Sequence, residues 1–290
     1  MRIMVATDGS NGAADAIEWL AHFPLPADAS VEVVSAIPAP IFDETVLPTP
    51  WSRLRAETER TLEDARRRLA KRWPSTASQL LYGDPRGVLV ETARRSATDL
   101  IVMGARGLGA VAAFLLGSVS LDVARRAPCS VLVCRGPARP LRTVTIGLDG
   151  SPYAAAALSF FSGLPLPAGL AVRLVGVAEP LRYPSSAPEL LSGALMAAIQ
   201  REEEARRHQL TAVLDGAGRA LRSRLRTVTR ETSVGSPPDV LIRDAARADS
   251  DLIVVGPRGM GTLKRMMLGS VSETVLRHAA CPVLIARRTE

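Results

Sequence analysis

Strand-like apolar runs and longer segments of helical periodicity alternate along this chain. Strand patterns lie near residues 3–7, 31–36, 78–82, 99–103 and 130–134. A second series lies near residues 143–148, 171–177, 227–233, 251–255 and 282–287. Continuously apolar stretches such as LIVM at 100–103 are the mark of strands covered on both faces. The clearest intervening helices are 53–72 and 88–96. Strands alternating with helices predict an α/β fold built on parallel, doubly wound sheets with helices on both faces.

The pattern occurs twice. Residues 2–10 read RIMVATDGS and residues 143–151 read TVTIGLDGS, which matches Asp8 to Asp149. DLIVMG at 99–104 returns as DLIVVG at 251–256, and APCSVLV at 127–133 as ACPVLIA at 280–286. Asp149 follows Asp8 by 141 positions and Gly256 follows Gly104 by 152, so the second copy carries 11 additional residues between these motifs. The join is RGPARPLR at 135–142, a Pro/Gly/Arg stretch without apolar periodicity. Two tandem domains are therefore expected, 1–137 and 138–290.

Ligands of an open α/β sheet sit beyond the carboxyl ends of its strands, where strand order reverses. Two loops carry candidate chemistry at strand ends: Asp8-Gly9-Ser10 after the first strand, and the residues from Gly104 onward after the fourth. They form one site only if those strands are neighbours, as in a 3-2-1-4-5 order. The stretch MGARGLGAVAAFLLGSVS at 103–120 holds a dinucleotide-like spacing at Gly107, Gly109 and Ala112, but Lys264 replaces Ala112 in the duplicate. Both copies keep G-x2-G-x9-G-S instead: Gly104, Gly107, Gly117 and Ser118, then Gly256, Gly259, Gly269 and Ser270.

Glycines let backbone N–H groups approach an anion, and a helix opening at Gly-Ser adds orphan N–H groups and a favourable dipole. Ser118 and Ser270 read as N-caps, and Glu273, three residues after Ser270, completes a capping box. Pro257 stands where the first copy has Ala105 and removes one N–H from the second loop.

Charge and composition narrow the partners. Lys and Arg number 36 against 29 Asp and Glu, a formal +7, and Lys71 and Lys264 are the only lysines. The densest basic cluster, 66–72, follows acids at helical spacing (Glu63 to Arg67, Asp64 to Arg68), and Glu202 to Arg206 and Glu203 to Arg207 repeat the arrangement. Self-paired, solvated helix faces are expected rather than a nucleic-acid footprint. An aromatic content of 4% also argues against base stacking. No apolar run is long enough to span a bilayer, and the opening residues carry no signal-peptide pattern. Cys129, Cys134 and Cys281 form no C-x-x-C pair and are expected as buried or half-buried thiols near strands. These readings predict a cytoplasmic protein with neither a membrane nor a nucleic acid as partner.

The joint pattern of an early A-T-D-G-S, D-L-I-V-M-G followed by G-x2-G-x9-G-S, and a closing C-P-V-L-I resembles the universal stress protein family over the whole chain. The resemblance implies two tandem, Rossmann-like open parallel sheets of five strands in the order 3-2-1-4-5, each binding ATP, with or without Mg2+. Gly104, Arg106, Gly107 and Gly109 would then cradle the phosphates and ribose, and Gly117, Ser118 and Val119 the distal phosphates. Ala6, Thr7 and Asp8 would face the adenosine end, and Ala36 the adenine edge. The second copy supplies Gly147, Leu148, Asp149, Val177, Gly256, Arg258, Gly259, Gly261, Gly269, Ser270 and Val271. Family dimers pair through the last strand, which implies an internal pseudo-dimer through 131–134 and 283–286, and a homodimer of the tandem chain.

No nucleophile lies beside a histidine, and His22, His208 and His278 are scattered, so a nucleotide-dependent regulatory or stress-response protein is expected rather than an enzyme. The alternative is an ATP-using enzyme of the same superfamily, a slow ATPase or adenylyl transferase.

Overall fold

The computed structural model describes residues 1–39, 50–107, 116–180, 193–260 and 268–287. The first half runs β1 (Arg2–Ala6), α1 (Asn11–His22), β2 (Ser30–Ile37), α2 (Pro50–Ala70), β3 (Ala77–Tyr82), α3 (Pro85–Arg95), β4 (Leu100–Gly104), α4 (Ser118–Arg126) and β5 (Ser130–Cys134). The second runs β6 (Thr143–Gly147), α5 (Pro152–Gly163), β7 (Ala171–Ala178), α6 (Gly193–Arg222), β8 (Thr227–Val234), α7 (Pro237–Arg247), β9 (Leu252–Val255), α8 (Ser270–His278) and β10 (Val283–Ile285). Among the described residues no helix is long and apolar enough to cross a membrane.

Each half has the expected order, β3-β2-β1-β4-β5 and β8-β7-β6-β9-β10, with parallel pairing throughout. The expectation of two five-stranded sheets is corrected in their number: the strands form one ten-stranded sheet, because the last strands of the two halves, β5 and β10, pair antiparallel, in keeping with the pseudo-dimer expected through 131–134 and 283–286. Their open edges satisfy each other's backbone groups, which would otherwise stay unpaired. Leu132 lies opposite Leu284, Val133 opposite Val283 and Val131 opposite Ile285.

Leu132 and Leu284 occupy equivalent places in the repeat, so a pseudo-twofold axis passes between them, perpendicular to the sheet. Such a rotation reverses strand direction but keeps the faces. Accordingly α1, α2, α5 and α6 pack on one face, around Trp19, Leu69, Phe161 and Leu214, in a core that crosses the seam. On the other face α3, α4, α7 and α8 do the same around Val90, Val123, Leu241 and Val275.

The duplicated DLIV motif has a structural role. Asp99 accepts from the Arg2 N–H at 2.7 Å, and Asp251 accepts from the Arg142 and Thr143 N–H groups at 2.8 Å each. These carboxylates close the start of β1 and β6 against β4 and β9. The α2 arginines pair with acids as anticipated: Glu63 keeps its expected partner Arg67 at 3.9 Å, and closer i,i+3 pairs are added. Arg66 meets Glu63 at 2.7 Å, Arg67 meets Asp64, and Arg68 turns to Glu18 at 3.8 Å. Arg206 meets Glu202 at 2.9 Å.

Reciprocal arginines cross the seam. Arg135, just after β5, donates to the carbonyls of Leu276 and Arg277 (3.4 Å for the latter) at the C-terminal end of α8. Arg287, its repeat equivalent just after β10, donates to the Ala124 carbonyl of α4 at 2.5 Å and to the Cys129 carbonyl at 3.2 Å. Burial lowers Arg287 to about 10, with the Arg258 charge acting in the same direction. Burial also raises the thiols beside these strands, Cys129 to about 12 and Cys281 to about 11, so neither is a ready thiolate.

Candidate functional site

The crevice starts where β1 ends. β1 pairs β2 on one side as far as Ala6 opposite Val34, and β4 on the other as far as Ala6 opposite Met103. β2 continues to Ile37, three residues beyond its last pair with β1, and β7 overhangs β6 in the same way. Chain order reverses at β1 and β6, which puts a switch-point crevice above each. The pseudo-twofold places the two crevices at opposite ends of the sheet.

The D-G-S loop folds across the crevice floor. The Thr7 N–H donates to the Val34 carbonyl at 2.9 Å, as Leu148 does to Val175. Gly9 (φ +78°) and Gly150 (φ +83°) take a left-handed turn that costs a side-chain-bearing residue strain. That turn lets the Asp8 carboxylate accept from the Ser10 N–H at 3.0 Å, and Asp149 from Ser151 at 2.9 Å. Ser10 then caps α1 through the Ala13 N–H at 3.2 Å and donates to the Arg106 carbonyl at 3.3 Å, tying the first loop to the glycine loop. Ala6, Thr7 and Leu148 are buried supports, Gly147 is half-buried, and Ala36 and Val177 are half-buried in the overhangs.

The motif glycines are not equivalent. Gly104 is buried, and a Cβ there would stand 2.5 Å from the Gly12 backbone; one on Gly256 would stand 2.9 Å from that of Tyr153. The first glycine therefore makes room for the N-terminus of the first helix of its half. A Cβ on Gly107 would collide with Asp8 Oδ2, and one on Gly259 would come within 2.6 Å of Asp149 Oδ2. The second glycine brings the two loops together and leaves the carboxylate against bare backbone. Gly109 and Gly261 lie outside the described residues.

Gly117 closes the loop, donating to the Ala105 carbonyl at 2.8 Å, and Gly269 does so to Pro257 at 2.7 Å. The N-cap residues are these glycines, not Ser118 and Ser270, and neither makes a side-chain cap. The predicted capping box is absent: Glu273 is drawn to Arg125 at 2.7 Å and Arg277 at 2.9 Å, charge-assisted bonds stronger than a bond to a neutral N–H. Ser118 and Ser270 are exposed at the first helical position, with Val119 and Val271 half-buried behind them.

The serines that hold these helices are Ser120 and Ser272, buried and donating to the Gly104 and Gly256 carbonyls at 2.8 and 2.6 Å. They were missed in the sequence, although GSVS recurs whole in both copies.

Two differences separate the halves. The Ala105 N–H donates to the Cys134 carbonyl at 2.9 Å, so the donor lost at Pro257 belongs to the pairing beyond the end of the fourth strand of its half and not to the crevice. Arg258 lies over the Tyr153 ring, 5.4 Å from its centre, and donates to its hydroxyl at 3.2 Å. The repeat equivalent of Tyr153 is Gly12, and Arg106 is exposed. Asp15, beside it, is raised by burial and by Glu18, with the Arg106 charge opposing both.

These features have counterparts. The family model described as the universal stress protein family matches residues 1–135 and again 140–287. The chain belongs to the universal stress protein family. A universal stress protein of Mycobacterium tuberculosis, Rv2005c, is 31% identical over 99% of this chain and 97% of its own length. Another from that organism, Rv1996, is 29% identical over 98% of this chain and 94% of its own. The crystal structure of a universal stress protein from Archaeoglobus fulgidus shares the fold, with a TM-score of 0.67 at 20% identity, over 99% of this chain and 98% of that one.

Proposed function

We propose that this universal stress protein binds one ATP in each half and acts through the bound state rather than by turning ATP over. The observation that carries the reading is a juxtaposition found in both halves. A helix N-terminus without a side-chain cap opens at Gly117-Ser118 or Gly269-Ser270, beside a loop whose Gly107 or Gly259 abuts Asp8 or Asp149. Uncapped N–H groups and the helix dipole suit a polyphosphate. A carboxylate suits a ribose hydroxyl far better than a phosphate, which it would repel. The residues therefore fit a nucleotide with its phosphates toward α4 or α8 and its sugar toward the D-G-S loop. Ala36 and Val177 line the overhang left for the base. When Mg2+ accompanies ATP, the phosphates carry it and Asp8 or Asp149 is the carboxylate on hand.

Calorimetry tests this. The expected result is two ATP per chain, one after Gly107→Ala or Gly259→Ala, and none in the double variant. Absence of binding by the wild-type chain, or two sites persisting in the double variant, overturns it. Multiple-turnover hydrolysis that disappears in Asp8→Ala would favour the enzyme instead.

A further inference from the structure

The helices whose N-termini form the phosphate ends of the two sites have nine residues each. Helices of that length are marginal unless tertiary contacts hold them. Each has a clamp at both ends. At the first turn Ser120 or Ser272 bonds a carbonyl of its own half. At the last turn the clamp comes from the other half: Arg287 grips Ala124 of α4, and Arg135 grips Leu276 and Arg277 of α8. A guanidinium at a helix C-terminus also satisfies orphan carbonyls and complements the dipole. A nine-residue helix is about 13 Å long, so a tilt released at one end displaces the N–H groups at the other. Arg125 of α4 and Glu273 of α8, 2.7 Å apart, tie the two helices to each other.

We infer that Arg287 and Arg135 are positioning residues that act in a crossed sense: Arg287, from the second half, sets the nucleotide site of the first, and Arg135 sets that of the second. Each site is then complete only with the other half in place. This inference rests on the proposed ATP binding.

The test uses the full chain with ATP and AMP as probes. In a Gly259→Ala background only the first site remains, and Arg287→Ala is expected to weaken ATP there about fivefold, the lower end of ordinary intersite coupling. Arg135→Ala should leave that site near its original affinity. In a Gly107→Ala background the pattern reverses. AMP, which lacks the distal phosphates, should lose less than ATP, whereas a general loss of structure would weaken both nucleotides alike. Should either alanine variant fail to fold, Arg→Lys keeps the charge without the planar fork, and the same crossed loss is expected at smaller size.

If the wild-type chain binds no ATP, this inference falls with the proposed function. If it binds two ATP but each arginine affects its own half, both sites equally or both nucleotides equally, only the crossed positioning falls.

Discussion

Gly104 and Gly107 stand three positions apart and lack a side chain for different reasons. At Gly104 the space is filled by the backbone of Gly12, which cannot move without shifting α1. Gly104→Ala is therefore an overpacking change, expected to cost about 1–3 kcal/mol of stability. At Gly107 the space is filled by the end of the exposed Asp8 side chain and not by backbone, so relieving the clash needs only a side-chain shift. Gly107→Ala should shift the urea midpoint little and abolish ATP binding in the first half. Midpoints and calorimetry on the two variants separate the roles; equal destabilisation would refute the distinction. The repeat made the need for glycine legible at both positions. It could not say what fills each gap, because that depends on which helix the sheet order brings alongside.

At the scale of elements, the two GSVS helices show where local rules were outbid. Capping chemistry drew attention to Ser118, Ser270 and Glu273, yet the bonds that matter come from Ser120, Ser272 and partners distant in sequence. A capping box is a local arrangement, whereas Glu273 has two guanidinium groups within reach, one from its own helix and one from α4. Ser120→Ala and Ser272→Ala each remove a buried hydrogen bond, an expected loss of about 1–2 kcal/mol, and should weaken ATP at the adjoining site. A binding change confined to the opposite site would contradict the geometry.

Burial pushes the Glu273 carboxyl up, but its bonds to Arg125 and Arg277 outweigh that and leave it below its ordinary value of 4.5. Its contribution to stability is therefore complete above pH 4.5 and is lost as pH falls through the lower folded value. Glu273→Gln should remove that part of the acid-side slope in urea midpoints; an unchanged slope would mean that the ion pairs contribute nothing.

At the scale of the whole molecule, the alternation and the repeat gave the α/β class and the duplication, whereas the strand order within each half and the meeting of the last strands came only through the family resemblance. Residue pattern alone could not show that these strands join by backbone pairing into one sheet, because LIVM-like strands look the same at an edge or in the middle of a sheet. What the join changes is cooperativity. Both cores run across the seam, with Leu132 and Leu284 fully buried on one face and Val131, Val133, Val283 and Ile285 on the other. The chain should accordingly unfold as one unit, although it was built by duplication.

Its tryptophans make this measurable. Trp19, Trp51 and Trp73 all lie in the first half, so their fluorescence reports that half, while far-ultraviolet circular dichroism reports both. The two urea transitions should coincide, as a two-state unit requires. Leu284→Ala, in the second half, should cost about 2–5 kcal/mol and should move the fluorescence midpoint of the first half as far as the dichroism midpoint. If fluorescence stayed at its wild-type midpoint while dichroism shifted, the halves would be unfolding separately. The seam would then be a contact between two domains rather than the centre of one.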